Sequence, residues 1–309
     1  PVKDWQIEWK WDGIRGQIIK RRGQIFIWSR GEELVTDKYP ELRNVAASLP
    51  DGTVIDGEIL PWKKGRPMPF SELQRRIGRK TVGKKLLRDA PVAFLAYDLL
   101  ESGGRDIRQT ALERRRAALS GVISPLPGNR IQISPVVVAG TWKQFAALQR
   151  ESRSRGVEGF VMKRFDSVYE VGRRRGSWWK WKIDPLTVDA VLIYAQRGHG
   201  RRAGLYTDYT FAVRQGDSLV PFAKAYSGLS DAEIRQVDRF IQRNTVERFG
   251  PVRAVTPRLV FEIAFEGIQK STRHKSGVAV RFPRIARWRR DKTVEEADTI
   301  ETLTALMPP

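Results

Sequence analysis

Lys10 lies in a short segment whose residue types suit a lysine that attacks the phosphate of a nucleotide. The alternating pattern predicts a β-strand, on which Glu8, Lys10 and Asp12 share one face and two tryptophans occupy the other. Gly13 then allows a tight turn, and Arg15 follows it. A lysine beside two carboxylates and an arginine is a plausible nucleophile. A solvated strand face with a salt bridge would give the same pattern, so the segment alone leaves both interpretations open.

Further carboxylates and an aromatic residue occur at strand positions downstream. Asp56 and Glu58 share one face of an apolar strand, and Gly57 between them permits close approach of a ligand or of neighbouring backbone. Glu158 lies in a turn immediately before another hydrophobic strand. Tyr97 is near the end of an apolar strand and could stack on a purine, although this segment alone favours packing in the core.

A tryptophan-rich strand carries two lysines with the spacing of one strand face. Lys180 and Lys182 alternate with Trp179 and Trp181. We expect both tryptophans to pack against the core, which would hold the two ammonium groups towards one site, as phosphate binding requires. A surface on which nucleic-acid bases stack would also combine lysine with tryptophan, so this alternative stays open.

The composition narrows the classes of partner. The chain has 309 residues, with 56 Lys and Arg against 35 Asp and Glu and a formal net charge of +21, which favours polyanions such as nucleic acids and nucleotides. No apolar run approaches the roughly 20 residues of a membrane-spanning helix. The absence of cysteine excludes disulfides, thiolate metal sites and cysteine nucleophiles, and is consistent with a cytosolic protein.

The order of predicted elements indicates an α+β fold in two domains. The first part alternates strands and helices without a regular βαβ rhythm, which favours antiparallel sheets. One of its helices is predicted over 141–155, ending at Gly156. After Pro185 the chain carries short β-type runs and a helix over 231–243 behind the N-cap Ser230, the pattern of a small barrel of the oligonucleotide-binding (OB) type. We therefore predict domains at 1–184 and 185–309.

Taken together, these segments resemble the motifs of the covalent nucleotidyltransferases, and the chain resembles ATP-dependent DNA ligases over essentially its whole length. The motifs follow in the family's order: Lys10-x-Asp12-Gly13-x-Arg15, Ser29-Arg30-Gly31, Asp56-Gly57-Glu58, Tyr97-Asp98, Glu158-Gly159, Lys180-x-Lys182 and a basic segment from Arg281 to Lys292. One departure is Gly31, where many relatives have Asn or Thr.

The resemblance implies a nucleotidyltransferase domain followed by an OB domain, and a role for each motif residue. Lys10 would form the covalent bond to AMP, with Asp12, Lys180 and Lys182 as further catalytic residues. Glu58 and Glu158 would hold Mg²⁺ or Mn²⁺. The residues expected to contact the nucleotide are Glu8, Arg15, Arg30, Glu58, Tyr97, Glu158, Arg281, Asp291 and Lys292.

Physical chemistry is consistent with these roles. Arg15, Arg30 and the two lysines of the tryptophan-rich strand would favour the neutral amine of Lys10 by like-charge repulsion. Tyr97 would stack on the base, and Glu8 would accept a hydrogen bond from an exocyclic amine, which favours adenine.

The implied activity is the sealing of nicks in double-stranded DNA, with ATP as cofactor, in DNA repair, replication or recombination. The resemblance is greatest to bacterial ligases that carry a separate N-terminal DNA-binding domain and are often associated with a damage-response helicase and nuclease. We expect a monomer in the cytoplasm, at the nucleoid. The motif lies so near residue 1 that we also expect the chain to be the core of a longer protein.

Two alternatives remain at this level. An mRNA-capping guanylyltransferase or an RNA ligase would use the same lysine chemistry. A nucleic-acid-binding module that has lost its activity would share the basic charge, although every charged motif position is intact here.

Overall fold

Two units, Pro1–Ile183 and Asp184–Pro309, make up the computed structural model, and each has a hydrophobic core of its own. The structure describes residues 1–79, 81–172 and 174–307, and the backbone alone at position 201. None of the helices in these described residues has the length and the apolar character needed to cross a membrane.

The first unit is built on two largely antiparallel sheets. Its strands are β1 Trp5–Trp11, β2 Ile14–Arg21, β3 Gln24–Ser29, β4 Thr53–Lys63, β5 Arg66–Pro67, β6 Val92–Ser102, β7 Arg105–Asp106, β8 Ile131–Ile133, β9 Val157–Arg164 and β10 Trp178–Lys182. The larger sheet has the order β3-β2-β4-β6-β7, with β5 on β4 and β8 parallel to β6. The smaller sheet has the order β1-β9-β10.

Helices pack against both sheets of this unit. They are α1 Pro40–Ala46, α2 Phe70–Ile77, α3 Lys84–Asp89, α4 Leu112–Ile123 and α5 Trp142–Gln149. The prediction of one helix over 141–155 was wrong at its end. A capping box between Thr141 and Gln144 starts α5, but the chain tightens into a 3-10 turn over Arg150–Ser152, where the Ser152 hydroxyl donates a hydrogen bond to the carbonyl of Gln149.

The central strands β4 and β6 are buried on both faces, as expected for neighbours in the middle of a covered sheet. At Gly57 there is no room between these two strands for a side chain. A Cβ atom at this position would lie 2.4 Å from the ring of Phe94 and 2.7 Å from the carbonyl oxygen of Leu95. The predicted close approach at Gly57 is therefore confirmed, and the neighbour is a strand of the same sheet.

The second unit is mainly a curled antiparallel sheet with two helices. Its strands are β11 Leu186–Arg197, β12 Tyr206–Gln215, β13 Ser218–Ala225, β14 Thr245–Phe249, β15 Val252–Val255, β16 Val260–Phe265, β17 Gly267–Lys270, β18 Val278–Arg281 and β19 Arg284–Trp288. Its helices are α6 Asp231–Asn244 and α7 Ile300–Ala305. Short 3-10 helices at Val2–Asp4, Thr36–Lys38, Gly200–Arg202 and Val294–Glu296 complete the two units.

The long strand β11 explains the curl of this sheet. Its first half pairs with β16 and its second half with β15, while β12 runs along the opposite edge. One strand that changes partner along its length bends the sheet towards closure. Helix α6 is inserted between β13 and β14, and Ser230 caps it through a capping box with Glu233. The predicted α+β class, with antiparallel sheets followed by an OB fold, is confirmed.

Candidate active site

Lys10 occupies an irregular position of strand β1, opposite Glu158. The pairing of β1 with β9 shifts between Trp9 and Trp11, so Lys10 faces a stretch of β9 with one extra residue. The ammonium group of Lys10 contacts the carboxylate of Glu158, and each side chain is 19% exposed. Both groups therefore reach the surface of the unit from adjacent strands, while Asp12 follows the end of β1.

Gly159 permits the third strand of this sheet to approach. Its φ is +121°, and a Cβ atom there would lie 2.1 Å from the carbonyl oxygen of Trp181. Only glycine fits this backbone conformation without strain. The close approach brings Lys182 opposite Gly159 and Lys180 opposite Val161 in the β10–β9 pairing.

Arg15 is fixed by a buried carboxylate and a buried tyrosine. Its Nε and Nη2 donate to the two oxygens of Asp56 at 3.2 and 2.7 Å, and Asp56 is fully buried. The Tyr169 hydroxyl donates to Asp56 at 2.6 Å and accepts from Arg15 at 2.6 Å. Burial opposes the charge of Arg15, but the hydrogen bond to Asp56 and the nearby anionic groups together raise the pKa of the guanidinium. Arg15 is therefore a permanent, oriented cation.

Tyr169 was missed from the sequence. It lies between two motifs, in a stretch without regular spacing, and neither its neighbours nor its position marks it as a site residue. Its ring packs edge-on against Trp178 with centroids 5.8 Å apart, and burial raises the pKa of its hydroxyl. Tyr169 is therefore a neutral donor that completes the support of Arg15.

Positive side chains from different strands share the electrostatic environment of Lys10. The pKa of Lys180 is lowered first by partial desolvation and then by the charges of Lys10, Arg30 and Arg15. The backbone N–H of Arg30 donates to the carbonyl of Arg15 at 3.0 Å, which ties the two arginines together. Both arginines line two adjoining hollows of about 560 and 540 Å³ at the surface of the first unit.

The tryptophans of β10 are not equivalent, contrary to the prediction that both pack against the core. Trp181 packs on Phe160 with ring centroids 6.0 Å apart, but Trp179 is 49% exposed. Strand β10 is at the edge of a three-stranded sheet, so one part of its face has no neighbour to cover it. Lys180 and Lys182 are both exposed, and the prediction that their ammonium groups serve one phosphate site stays a prediction.

Glu58 is a partly buried carboxylate whose pKa also depends on the charges of Lys10 and Arg15. Burial, its largest cause, raises the pKa of Glu58 to about 8, and the negative charges of Asp56 and Glu158 add to this effect. Lys10 and Arg15 oppose it. Among the described residues there is no cluster of three or more His, Cys, Asp or Glu side chains that could hold a metal ion. The assignment of Glu58 and Glu158 as metal ligands stays a prediction.

From the raised pKa of Glu58 we predict how the stability of the chain depends on pH. The folded chain retains this proton up to a pH of about 8, whereas the unfolded chain releases it near the ordinary value of 4.5. Between these values the folded state binds more protons, so the free energy of unfolding falls as the pH rises. Glu58→Gln removes this contribution. We expect the free energy of unfolding of Glu58→Gln, relative to the unsubstituted chain, to rise from pH 5 to pH 8.

Urea unfolding in the presence of a chelator and without nucleotide measures this difference. Of the ten tryptophans only Trp288 lies in the second unit, so tryptophan fluorescence reports mainly on the first. If the free energies of unfolding of Glu58→Gln and of the unsubstituted chain differ by a constant amount from pH 5 to pH 8, that result would contradict the raised pKa of Glu58.

Glu8 and Tyr97 are joined by a buried lysine. Glu8 is 2% exposed, and its Oε1 accepts hydrogen bonds from Lys163 Nζ at 2.7 Å and Gln6 Nε2 at 2.8 Å. Lys163 Nζ also lies 4.6 Å from the centroid of the Tyr97 ring. Arg116 Nη1 is 3.8 Å from Glu8 Oε2. Lys163 and Arg116 were both missed from the sequence, because a lysine in an apolar strand and an arginine in a helix show no pattern that marks burial.

The basic segment near the end of the chain forms an ion-pair network within the second unit. Asp189 Oδ2 accepts from Arg289 at 2.7 Å and from Lys292 at 2.6 Å. Arg289 also pairs with Asp291, and this hydrogen bond lowers the pKa of Asp291 to about 2. Arg281 ends strand β18, beside the ring of Phe282. The roles of Arg281, Asp291 and Lys292 at a nucleotide stay predictions.

Comparisons with known proteins point to DNA ligases along both parts of the chain. A family model described as "ATP dependent DNA ligase domain" matches residues 2–182, and one described as "ATP dependent DNA ligase C terminal region" matches residues 202–292. A probable DNA ligase of Koribacter versatilis is 39% identical over 96% of this chain and 55% of its own length. A probable DNA ligase of Streptomyces coelicolor is 36% identical over 98% of this chain and 59% of its own length.

Among solved structures, the ligase domain from M. tuberculosis LigD is similar to this chain at 26% identity. The match covers 96% of this chain and 92% of that domain, with a TM-score of 0.50. The chain spans about half the length of the two full-length relatives named above. The match of the first family model to more than half of the residues shows that this chain belongs to the ATP-dependent DNA ligase family.

Proposed function

We propose that the first unit transfers AMP from ATP to Lys10. The Lys10 nitrogen would form a bond to the α-phosphorus as the bond from that phosphorus to the bridging oxygen breaks, and pyrophosphate would leave with the electron pair. The single observation that carries this proposal is the place of Lys10, at an irregularity of β1 against Glu158. A nucleophilic lysine is activated by desolvation or by neighbouring cations, and the charges of Lys10, Arg15 and Arg30 all act on the neighbouring Lys180.

The other residues would position the triphosphate and neutralise its charge. Arg15 is oriented by Asp56 and Tyr169, so it can meet a phosphate oxygen without losing conformational freedom. Lys180 and Lys182 would accompany the departing pyrophosphate, and Asp12 follows the nucleophile's strand. Tyr97 and Glu8 would hold the base, the first by stacking and the second through an exocyclic amine.

Glu58 and Glu158 are suitable residues for a divalent metal ion. Mg²⁺ is usually held by one or two carboxylates together with substrate phosphates and water, which matches a two-carboxylate site. The raised pKa of Glu58 also fits a carboxylate that is stabilised when a cation is bound. A bound Mg²⁺ or Mn²⁺ would stabilise the negative charge that develops on the phosphates.

The complete reaction that we propose is the sealing of nicks in double-stranded DNA. AMP would pass from Lys10 to the 5′-phosphate of the nick, and the 3′-hydroxyl would then displace it. We assign residues 1–184 to the nucleotidyltransferase domain and 185–309 to the OB domain. A monomeric state, a role in DNA repair or replication at the nucleoid, and work beside a helicase and a nuclease belong to this proposal through family resemblance.

Nick sealing by the chain itself tests the proposal. A labelled nicked duplex should be joined with ATP and Mg²⁺, more efficiently than the same nick in an RNA duplex and more efficiently than with GTP. Labelling of the protein by GTP alone would favour a capping enzyme. DNA binding without labelling by any nucleotide would favour an inactive binding module.

Lys292→Ala should affect enzyme adenylation and the final sealing step differently. If Lys292 orients the leaving pyrophosphate, the rate of enzyme adenylation should fall on the order of 100-fold, as for other transition-state contacts. Sealing of a nick that already carries a 5′-adenylate should stay nearly unchanged. Asp189 retains Arg289 as a partner, so we expect the fold to survive.

Single-turnover rates of both steps measure this effect. Arg287→Ala, which removes a charge from the nearby strand β19, is the matched control and should affect neither step strongly. Equal losses in the two steps, relieved at low salt, would show that Lys292 only grips DNA.

A further inference from the structure

Lys163 is almost completely buried, and no motif that we recognised assigns it a role. It is 2% exposed, on strand β9, five residues after Glu158. Its Nζ donates to Glu8 at 2.7 Å and lies 4.6 Å from the centroid of Tyr97 and 4.7 Å from that of Trp178. One ammonium group therefore contacts a carboxylate and the faces of two aromatic rings.

A purely structural role does not explain this arrangement well. A buried ion pair loses much of its Coulomb energy to desolvation, and a well-packed apolar pair of similar size is often as stable or more stable. Lys163 is surrounded by groups to which an apolar side chain could pack. Its retained charge is more easily understood if the charge sets the position of Glu8 and Tyr97.

The geometry of Glu8 shows what such a charge would achieve. Both hydrogen bonds from Lys163 and Gln6 reach Oε1, whereas Oε2 lies 3.8 Å from Arg116 Nη1, beyond hydrogen-bonding distance. With Oε1 held by two donors, Oε2 is the oxygen of Glu8 that would accept a hydrogen bond from a bound base. The exocyclic amine of adenine is such a donor, whereas guanine presents a carbonyl oxygen at the same ring position.

The Lys163 ammonium group also contacts the ring of Tyr97. A cation over one face of an aromatic ring holds that ring in place and draws electron density towards itself. Tyr97 is also held from its hydroxyl, which lies 3.4 Å from Asp56 Oδ1. A base that stacks on the remaining face would meet a ring fixed at both its face and its hydroxyl end.

We propose that Lys163 is a positioning residue that couples Glu8 to Tyr97 and so determines the preference for adenine. The inference rests on the proposed function of this site, because it needs a nucleotide bound at Tyr97. Lys163 would not touch the reacting phosphate, so it should govern the affinity for the base more than the limiting rate of adenylation.

The test is single-turnover self-adenylation of the whole chain, stripped of AMP with pyrophosphate and Mg²⁺. Three labelled nucleotides are compared: ATP, GTP and purine riboside triphosphate, which lacks the 6-amino group. For Lys163→Met we expect the half-saturating ATP concentration to rise on the order of tenfold or more, with a limiting rate within about threefold of the unsubstituted chain. The unsubstituted chain should discriminate against purine riboside triphosphate, and Lys163→Met should lose most of this discrimination.

Two further variants distinguish positioning from a general loss of structure. Lys163→Arg keeps a cation over the rings and should retain more of the ATP affinity than Lys163→Met. Lys20→Met is the control, because the Lys20 ammonium group is also held within the first unit, where it donates hydrogen bonds to the carbonyls of Ala47 and Leu49. It should leave nucleotide discrimination unchanged. If Lys163→Met does not fold, Lys163→Arg decides the question, with a several-fold loss of discrimination expected.

The results that would contradict the inference differ from the result that would contradict the proposed function. A folded Lys163 variant that keeps full discrimination against purine riboside triphosphate would overturn the inference. An equal loss of the limiting rate with all three nucleotides would also overturn it, since that pattern indicates a structural role. Failure of the unsubstituted chain to react with any of the three would instead overturn the proposed function on which the inference rests.

Discussion

Lys10→Ala is expected to reduce the formation of a covalent adduct with labelled ATP to background, on the order of 10³-fold or more, the scale seen when a covalent nucleophile is removed. Alanine has no atom that can attack the α-phosphorus. Glu158 loses its contact with the Lys10 ammonium in this variant, but the carboxylate is on the surface of the unit and water can replace that contact. The fold should therefore persist, and the loss should be chemical.

A preformed intermediate supplies the internal control for this variant. On a nick that already carries a 5′-adenylate, Lys10→Ala should still join some ends, since the last step does not use the lysine as a nucleophile. Lys3→Ala, seven residues away, should label as well as the unsubstituted chain. Adduct formation by Lys10→Ala at the unsubstituted level would show that another residue is the nucleophile.

Arg115→Met is expected to destabilise the first unit by about 3–5 kcal/mol, because it leaves a buried aspartate without its counter-ion. Arg115 on α4 and Asp98 on β6 are both fully buried, and the guanidinium donates to the two carboxylate oxygens at 2.8 and 3.0 Å. Arg115 Nη1 also donates to the carbonyls of Thr110 and Ser167. The arginine therefore joins the central sheet to the segment that leads to Tyr169.

Urea unfolding followed by tryptophan fluorescence measures the effect. The double variant Asp98→Leu/Arg115→Met removes both charges and should be less destabilised than Arg115→Met alone, since no unpaired charge remains buried. The exposed pair of Arg108 with Asp106 has similar bidentate geometry, so Arg108→Met is the matched control and should change stability little. If Arg115→Met lowered the free energy of unfolding no more than Arg108→Met does, that result would contradict the importance of burial for this ion pair.

The sequence pattern was sufficient for strands whose two faces differ in character. The alternation around Lys10 and the apolar run around Asp56 predicted β1 and β4, and these strands carry Lys10 and the carboxylate that holds Arg15. The helix behind Ser230 was also correct, because its capping box is a local signal that needs no knowledge of tertiary structure.

The misses share a different cause, which is contact between residues distant in sequence. Lys163 contacts Glu8 across a separation of 155 residues, and Tyr169 reaches Asp56 across 113, so no local window contains either pair. The exposure of Trp179 depends on β10 being an edge strand, which follows from sheet order and not from the strand's own residues. Local patterns thus predicted the strands that carry the motif residues, whereas the side chains that support these residues required the fold.

The covalent role of Lys10 is tested most directly by locating AMP along the chain. The protein is incubated with ATP and Mg²⁺, digested at neutral pH or above to protect the phosphoramide bond, and its peptides are measured by mass spectrometry. The peptide that contains Lys10 should carry the mass of one AMP, and treatment with pyrophosphate should remove it. AMP on a peptide without Lys10, or an unmodified chain under conditions in which it seals nicks with ATP, would contradict the proposed chemistry.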